Sequence, residues 1–147
     1  MSRHDLLAGL ASGEIAARDL AQLGASDINA VLDLAEVQSG AGRPDNAARL
    51  YAFLVALEPD QPDHLLRLAE AQAQSGAERD AVDSLTRYLD GQHDRTDGGR
   101  AWALLVRADL TEAADPTIAE RDRTAARALA KLSADARAIL DRPEVDG

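Results

Sequence analysis

The segment Leu34-Ala35-Glu36-Val37-Gln38 returns 34 residues later as Leu68-Ala69-Glu70-Ala71-Gln72. The echo extends further: Gly42 and Ala47 become Gly76 and Ala81, and Trp102-Ala103 stands another 34 residues beyond Leu68-Ala69. A fixed period that keeps a large-then-small pair, a glycine and a small residue in register marks a repeated supersecondary unit. Within each period the apolar residues fall at helical spacing. Val31, Leu34 and Ala35 match Leu65, Leu68 and Ala69, while Ala47, Tyr51 and Leu54 match Ala81, Leu85 and Tyr88. Each unit is therefore two helices joined by a tight turn. One hairpin cannot bury both of its faces, so hairpins must stack on one another.

The sequence around this core predicts the remaining elements. A helix over about 3–11 presents Leu6, Leu7 and Leu10 on one side, and Ser12-Gly13 breaks it. A second runs over about 14–23 with Ile15, Leu20 and Leu23 aligned and Gly24 as its stop. Ser26 then reads as the N-cap of a helix over about 27–40, with Asp27 in its first turn. Gly40-Ala41-Gly42-Arg43 makes the hairpin turn, and Pro44 suits the first position of a helix over about 44–57. Glu58 to Pro62 ends that hairpin. The next two helices cover about 62–75 and 78–90, with Gly76 between them and Gly91 after them.

The third unit departs from the pattern. Where the turn glycine belongs the phase holds Leu110, and Asp115-Pro116 comes late for a tight hairpin. This spacing predicts a helix over about 100–113. A long helix from Pro116 to about 140 follows, with Asp115 as N-cap and Ala125, Leu129 and Leu132 as its apolar face, closing the stack as a cap. The expected organisation is one all-α domain over 1–147. It has N-terminal helices in 1–25, two regular repeats in 26–93, and an irregular third hairpin with the C-terminal helix in 94–142.

Composition supports helix packing over a sheet or a cofactor pocket. Aromatics make up only 3% of the 147 residues against 46% hydrophobics, so alanine and leucine supply the core. There is no cysteine, hence no disulfide framework, thiolate metal site or nucleophilic thiol. No apolar run nears the roughly 20 residues that cross a bilayer. Leu6 to Leu10 is too short for a secretory leader, so the cytoplasm is the expected location. The net charge is −10, with 20 acidic and 10 basic residues in 1–115 but 4 and 6 in 116–142. An acidic body of this kind repels nucleic acid and anionic membrane.

Enzyme chemistry finds little footing. His4, His64 and His93 are scattered and lack metal-ligand partners at helical spacing, and His64 reads as an ordinary surface residue near a helix start. Asp90, Asp94 and Asp97 lack the rest of a calcium loop and read as a solvated linker. Asp97-Gly98-Gly99-Arg100 is too short for a phosphate loop and follows no strand. Arg121, Arg123, Arg127 and Lys131 alternate with Glu120 and Asp122 as mixed surface charge. No catalytic residue, metal or cofactor is expected.

The 34-residue period, the large-then-small pair, the turn glycine, the small residue opening the second helix and Pro59 at the repeat end resemble the tetratricopeptide repeat family. The likeness covers residues 28–93 in two copies. A narrower resemblance is to the class II chaperones of bacterial type III secretion. It rests on Gly13-Glu14-Ile15-Ala16, on Ser26-Asp27, and on Ala47, Tyr51, Leu54 and Leu57-Glu58-Pro59 in their spacing. Leu54 weighs most, because generic repeats place a small residue there. This resemblance implies a cytoplasmic chaperone for hydrophobic translocator proteins, with homodimer contacts through Leu6, Leu7 and Leu10. A generic repeat adaptor or scaffold of the same fold stays open beside it.

The repeat fold implies that the first helix of each hairpin lines a concave groove. By phase, that groove takes Asn29, Leu32, Glu36 and Ser39 from the first repeat. The second contributes Asp63, Leu66, Glu70, Ala73 and Gln74, and the third Arg100 and Leu104. Leu32 and Leu66 stand apart from the repeated core positions, and either pack on the N-terminal helices or form pockets for an extended peptide. Glu36 and Glu70 either orient that peptide or are plain solvated charges. Both repel a C-terminal carboxylate, which needs donors in the groove.

Overall fold

A computed structural model describes residues 9, 25–91 and 96–140. The two predicted N-terminal helices, and with them Leu6, Leu7 and Leu10, lie outside the described residues. The described elements are α1 (Ala25–Gly40), α2 (Pro44–Leu57), α3 (Asp63–Gln74), α4 (Glu78–Asp90), α5 (Asp97–Thr111) and α6 (Pro116–Leu140). There is no strand among the described residues, and the architecture is an all-α helical repeat. The chain falls into two compact units, Met1–His93 and Asp94–Gly147. In the first, α1 packs on α2, α2 on α3 and α3 on α4; in the second, α5 packs on α6.

The two regular turns are built alike, and glycine is the reason. Gly42 has φ +74° and Gly76 φ +83°, the left-handed conformation in which a Cβ meets the following carbonyl. In the first turn the Arg43 amide donates to the Gln38 carbonyl at 2.9 Å and the Gly42 amide to Ser39 at 3.2 Å. In the second, Ala77 donates to Gln72 at 2.9 Å and Gly76 to Ala73 at 3.2 Å. These bonds satisfy the last carbonyls of α1 and α3. Polar side chains brace the hairpins as well: Asn46 Nδ2 donates to Gln38 Oε1 at 3.3 Å, and Ser84 Oγ to Gln72 Oε1 at 2.7 Å.

The third hairpin shows what happens when that glycine is missing. Leu110 would be strained at positive φ, so α5 continues through it to Thr111. The Asp115 amide then donates to the Thr111 carbonyl at 2.7 Å, and no residue of the 112–115 turn has positive φ. Asp115 caps α6 as predicted, its Oδ1 accepting from the amides of Thr117 and Ile118 at 3.2 Å each. Relative to the 34-residue phase, α6 starts four residues late, close to one helical turn. The small buried residue survives that shift: Ala47, Ala81 and Ala119 each stand three residues after a helix start, and all are fully buried.

Several boundaries differ from expectation. α1 begins at Ala25, ahead of the predicted cap Ser26, and α3 begins at Asp63, one residue after Pro62. α5 begins at Asp97, so Asp97 to Gly99 are helix and not linker. Thr96 is the reason: its Oγ1 accepts from the Gly99 amide at 3.0 Å, and this cap offsets two poor helix formers.

In the first unit the core runs through Val31 and Ala35 of α1, Ala47, Leu50, Tyr51, Phe53 and Leu54 of α2, and Leu68 and Ala71 of α3. Leu34 is half-buried against this cluster. Ala81, Leu85 and Tyr88 of α4 are buried too. In the second unit the buried face of α6 is Ala119, Asp122 and Ala126. The predicted apolar face lies beside it: Ala125 and Leu129 are half-buried and Leu132 is 62% exposed. A carboxylate thus occupies the most enclosed stripe of α6. Arg107 of α5 compensates it with a two-pronged pair, Nε to Oδ2 at 2.7 Å and Nη2 to Oδ1 at 2.8 Å.

Candidate functional site

The predicted groove residues of the first unit lie on α1 and α3, the two first helices of its hairpins. Asn29, Glu36, Asp63 and Gln74 are exposed, and Ser39, Glu70 and Ala73 are half-buried. Leu32 and Leu66 are half-buried, and Leu32 packs against the core cluster from its edge. Arg100 and Leu104 belong to the second unit. Leu104 is buried together with Ala103 and Ala108, and so does not offer an open surface. Arg100 is half-buried, and its enclosed Nε has no hydrogen-bond partner among the described residues.

The electrostatics of α1 and α3 converge on a residue that the sequence assigned only to the core. Tyr51 of α2 shares one core cluster with Val31 and Ala35 of α1 and Leu68 and Ala71 of α3, and is 3% exposed. Its phenol is raised above the ordinary value of 10.0. Burial is the main cause; Arg67 pulls it down, whereas Glu36 and Glu70 push it up. Glu36 belongs to α1 and Glu70 to α3. Arg67 Nη1 also lies 3.6 Å from Glu70 Oε2, an exposed pair one turn apart that holds loosely. Glu36 makes no ion pair among the described residues.

The other chemical candidates have structural roles. His64 is not a surface residue: it is buried, and its Nε2 lies 3.0 Å from Glu58 Oε1. That contact ties the start of α3 to the linker after α2. Arg123 bonds to Glu112 and Asp109 at 3.0 to 3.3 Å, and Arg127 Nη1 lies 3.5 Å from Glu120, so two of the four basic residues of this stretch of α6 are paired. An open depression of about 730 Å³ follows α6 past Thr117, Arg121, Thr124 and Ala125, and contains none of the predicted groove residues. Among the described residues no group of His, Asp or Glu is arranged to hold a metal, and no helix is long and apolar enough to cross a membrane.

Residues 38–108 match the sequence model of the tetratricopeptide repeat family. That stretch is similar to tetratricopeptide repeats. The match runs from the last turn of α1 through most of α5, just under half of the chain, and so takes in the first helix of the irregular hairpin. Comparison with curated proteins and with solved structures finds no match. Tetratricopeptide repeats in general are protein-interaction repeats.

Proposed function

We propose that the chain is a non-enzymatic protein-binding module that receives an extended, apolar segment of a partner along α1 and α3. The observation that carries this reading is the pairing of half-buried Leu32 and Leu66 with Glu36 and Glu70 at the same positions of two successive repeats. Side chains that recur every 34 residues on a tetratricopeptide face suit a ligand that is itself extended and repeats its contacts. The partner class is the one the chaperone resemblance implies: a hydrophobic translocator of type III secretion, held in the cytoplasm before export. Leu54 supports it, as a fully buried leucine where generic repeats carry a small residue. The same resemblance proposes a homodimer through Leu6, Leu7 and Leu10.

Co-expression with a hydrophobic secreted partner followed by pull-down tests the reading. Capture that is lost in a folded Leu32→Asp/Leu66→Asp variant supports it; capture that persists removes the groove. Light scattering after deletion of residues 1–22 tests the dimer, and an unchanged dimer mass would exclude contacts through the three leucines.

A further inference from the structure

The packing of α3 on α2 shows which side of a first helix its predecessor covers. His64 of α3 meets Glu58, just after α2, at 3.0 Å, and Ala71, 2% exposed, shares a core cluster with Tyr51, Phe53 and Leu54 of α2. One period earlier the same side of α1 carries Ala30 and Val37. Among the described elements none precedes α1, and Val37 is 62% exposed. A valine open to water, where the next repeat encloses its residue almost completely, marks a stacking face without its cover. The border of that face is acidic: α1 carries Asp27, Asp33 and Glu36 and no basic side chain. The last helix offers the complementary surface. α6 buries Ala119, Asp122 and Ala126, and helical spacing turns Arg121, Thr124, Ala128 and Leu132 to the opposite side. All four are exposed, Leu132 at 62%, and the open depression of about 730 Å³ runs past the first three. Lys131 stands exposed beside them. Among the described residues Arg121, Lys131 and Asp33 form no ion pair.

We infer that α6 of one copy of this chain docks on the open face of α1 of a second copy, so that copies associate head to tail. In this contact the second helix of one hairpin lies on the first helix of another, as α2 lies against α3 within the chain. Leu132 and Val37 supply the apolar contact, short Thr124 and Ala128 let the helices approach closely, and Arg121 and Lys131 face Asp33 and Glu36. Charge rejects the symmetric pairings. Two α1 faces would set carboxylates against carboxylates, whereas α6 holds five basic side chains against three acidic ones and repels its own kind. Leu105, one further period along, is 46% exposed, but α5 mixes Arg100 and Arg107 with its carboxylates and does not match a basic helix. A contact that uses a different surface on each copy propagates until a ring closes. It is separate from the groove of Leu32 and Leu66.

Light scattering on the full-length protein over a wide concentration range tests the contact. The expected result is a mass that climbs with concentration past two chains. Raising the ionic strength from about 0.1 M to about 1 M should weaken the association at least about ten-fold, because the charges are then screened within about 3 Å. Asp33→Lys and Arg121→Glu/Lys131→Glu alter exposed positions, and each should keep the circular dichroism spectrum and stop the climb. Mixing the two variants should restore it, since the unaltered α6 of one meets the unaltered α1 of the other and the two reversed faces also match. The three reversals combined in one chain should restore it as well. A single mass at every concentration, whether one chain or two, would overturn the inference. So would growth that persists in either variant, or a mixture that stops at pairs, because a contact between like faces gives pairs and no more. Leu32→Asp/Leu66→Asp should leave the climb intact, so failure of the groove and failure of this contact are distinguishable.

Discussion

Replacing Asp122 by alanine should unfold the third hairpin at markedly lower denaturant. The Asp122 side chain is 3% exposed and that of Arg107 18%, so removing the carboxylate leaves a largely enclosed guanidinium without its main counter-charge. Breaking a buried pair in this way costs about 3–5 kcal/mol. Residual access of Arg107 to water, and its further contact elsewhere, place the expected loss at about 3 kcal/mol. Trp102, the single tryptophan, sits on α5 beside this pair in sequence and reports the second unit by fluorescence. With a urea slope of about 1.5–2 kcal/mol/M, the tryptophan midpoint should fall by about 1.5–2 M. The double variant Arg107→Met/Asp122→Leu removes both charges and keeps apolar volume, and should stay within about 1 kcal/mol of the parent. A tryptophan midpoint unmoved in Asp122→Ala, or a double variant as unstable as the single one, would refute the view that pairing keeps the carboxylate in the core.

Gly42→Ala and Gly76→Ala should each cost about 1 kcal/mol in thermal or urea unfolding, because both have positive φ although no atom blocks a Cβ; Gly40→Ala, without that strain, should be neutral or stabilising. Asp115→Ala should cost about 1 kcal/mol through loss of the α6 cap, again read at Trp102. Tyr51 carries the alkaline prediction. Its phenol is raised above 10.0 in the fold, so it stays protonated after the unfolded chain has begun to ionise. Its contribution is therefore complete below pH 10 and is lost as pH rises through the folded value. Tyr51→Phe should flatten the fall in stability above pH 10, and identical alkaline slopes in the two proteins would contradict the shift.

The parts of the fold that depend on local pattern were readable from the residues alone. Gly42 and Gly76 stop their helices by backbone conformation, and Ala47, Ala81, Leu85 and Tyr88 are buried because helical spacing fixes which side they share. What escaped depends on neighbours distant along the chain. Arg107 and Asp122 stand 15 residues apart across a hairpin whose turn had lost its glycine, so neither looked like the other's partner. His64 read as surface because its ligand, Glu58, lies in a proline-bounded linker of unknown path. At the start of α5 two local signals oppose each other, since Gly98 and Gly99 are poor helix formers and Thr96 is a cap. Tyr51 was half understood: periodicity located its ring in the core and had nothing to say about where its oxygen ends.

The four-residue delay of α6 sets a counting rule for anyone who lengthens this array. A further repeat grafted after the third hairpin by adding 34 to the earlier phase would present its small residue at the wrong height, since the buried alanine is Ala119 and not residue 115. Counting must restart at Pro116. Four residues of helix rise about 6 Å and rotate about 40° beyond a full turn, a small enough angle for the same face to stay buried. Insertions of four residues before a repeat's second helix are therefore tolerated units of change, whereas insertions of two would turn the buried stripe outward.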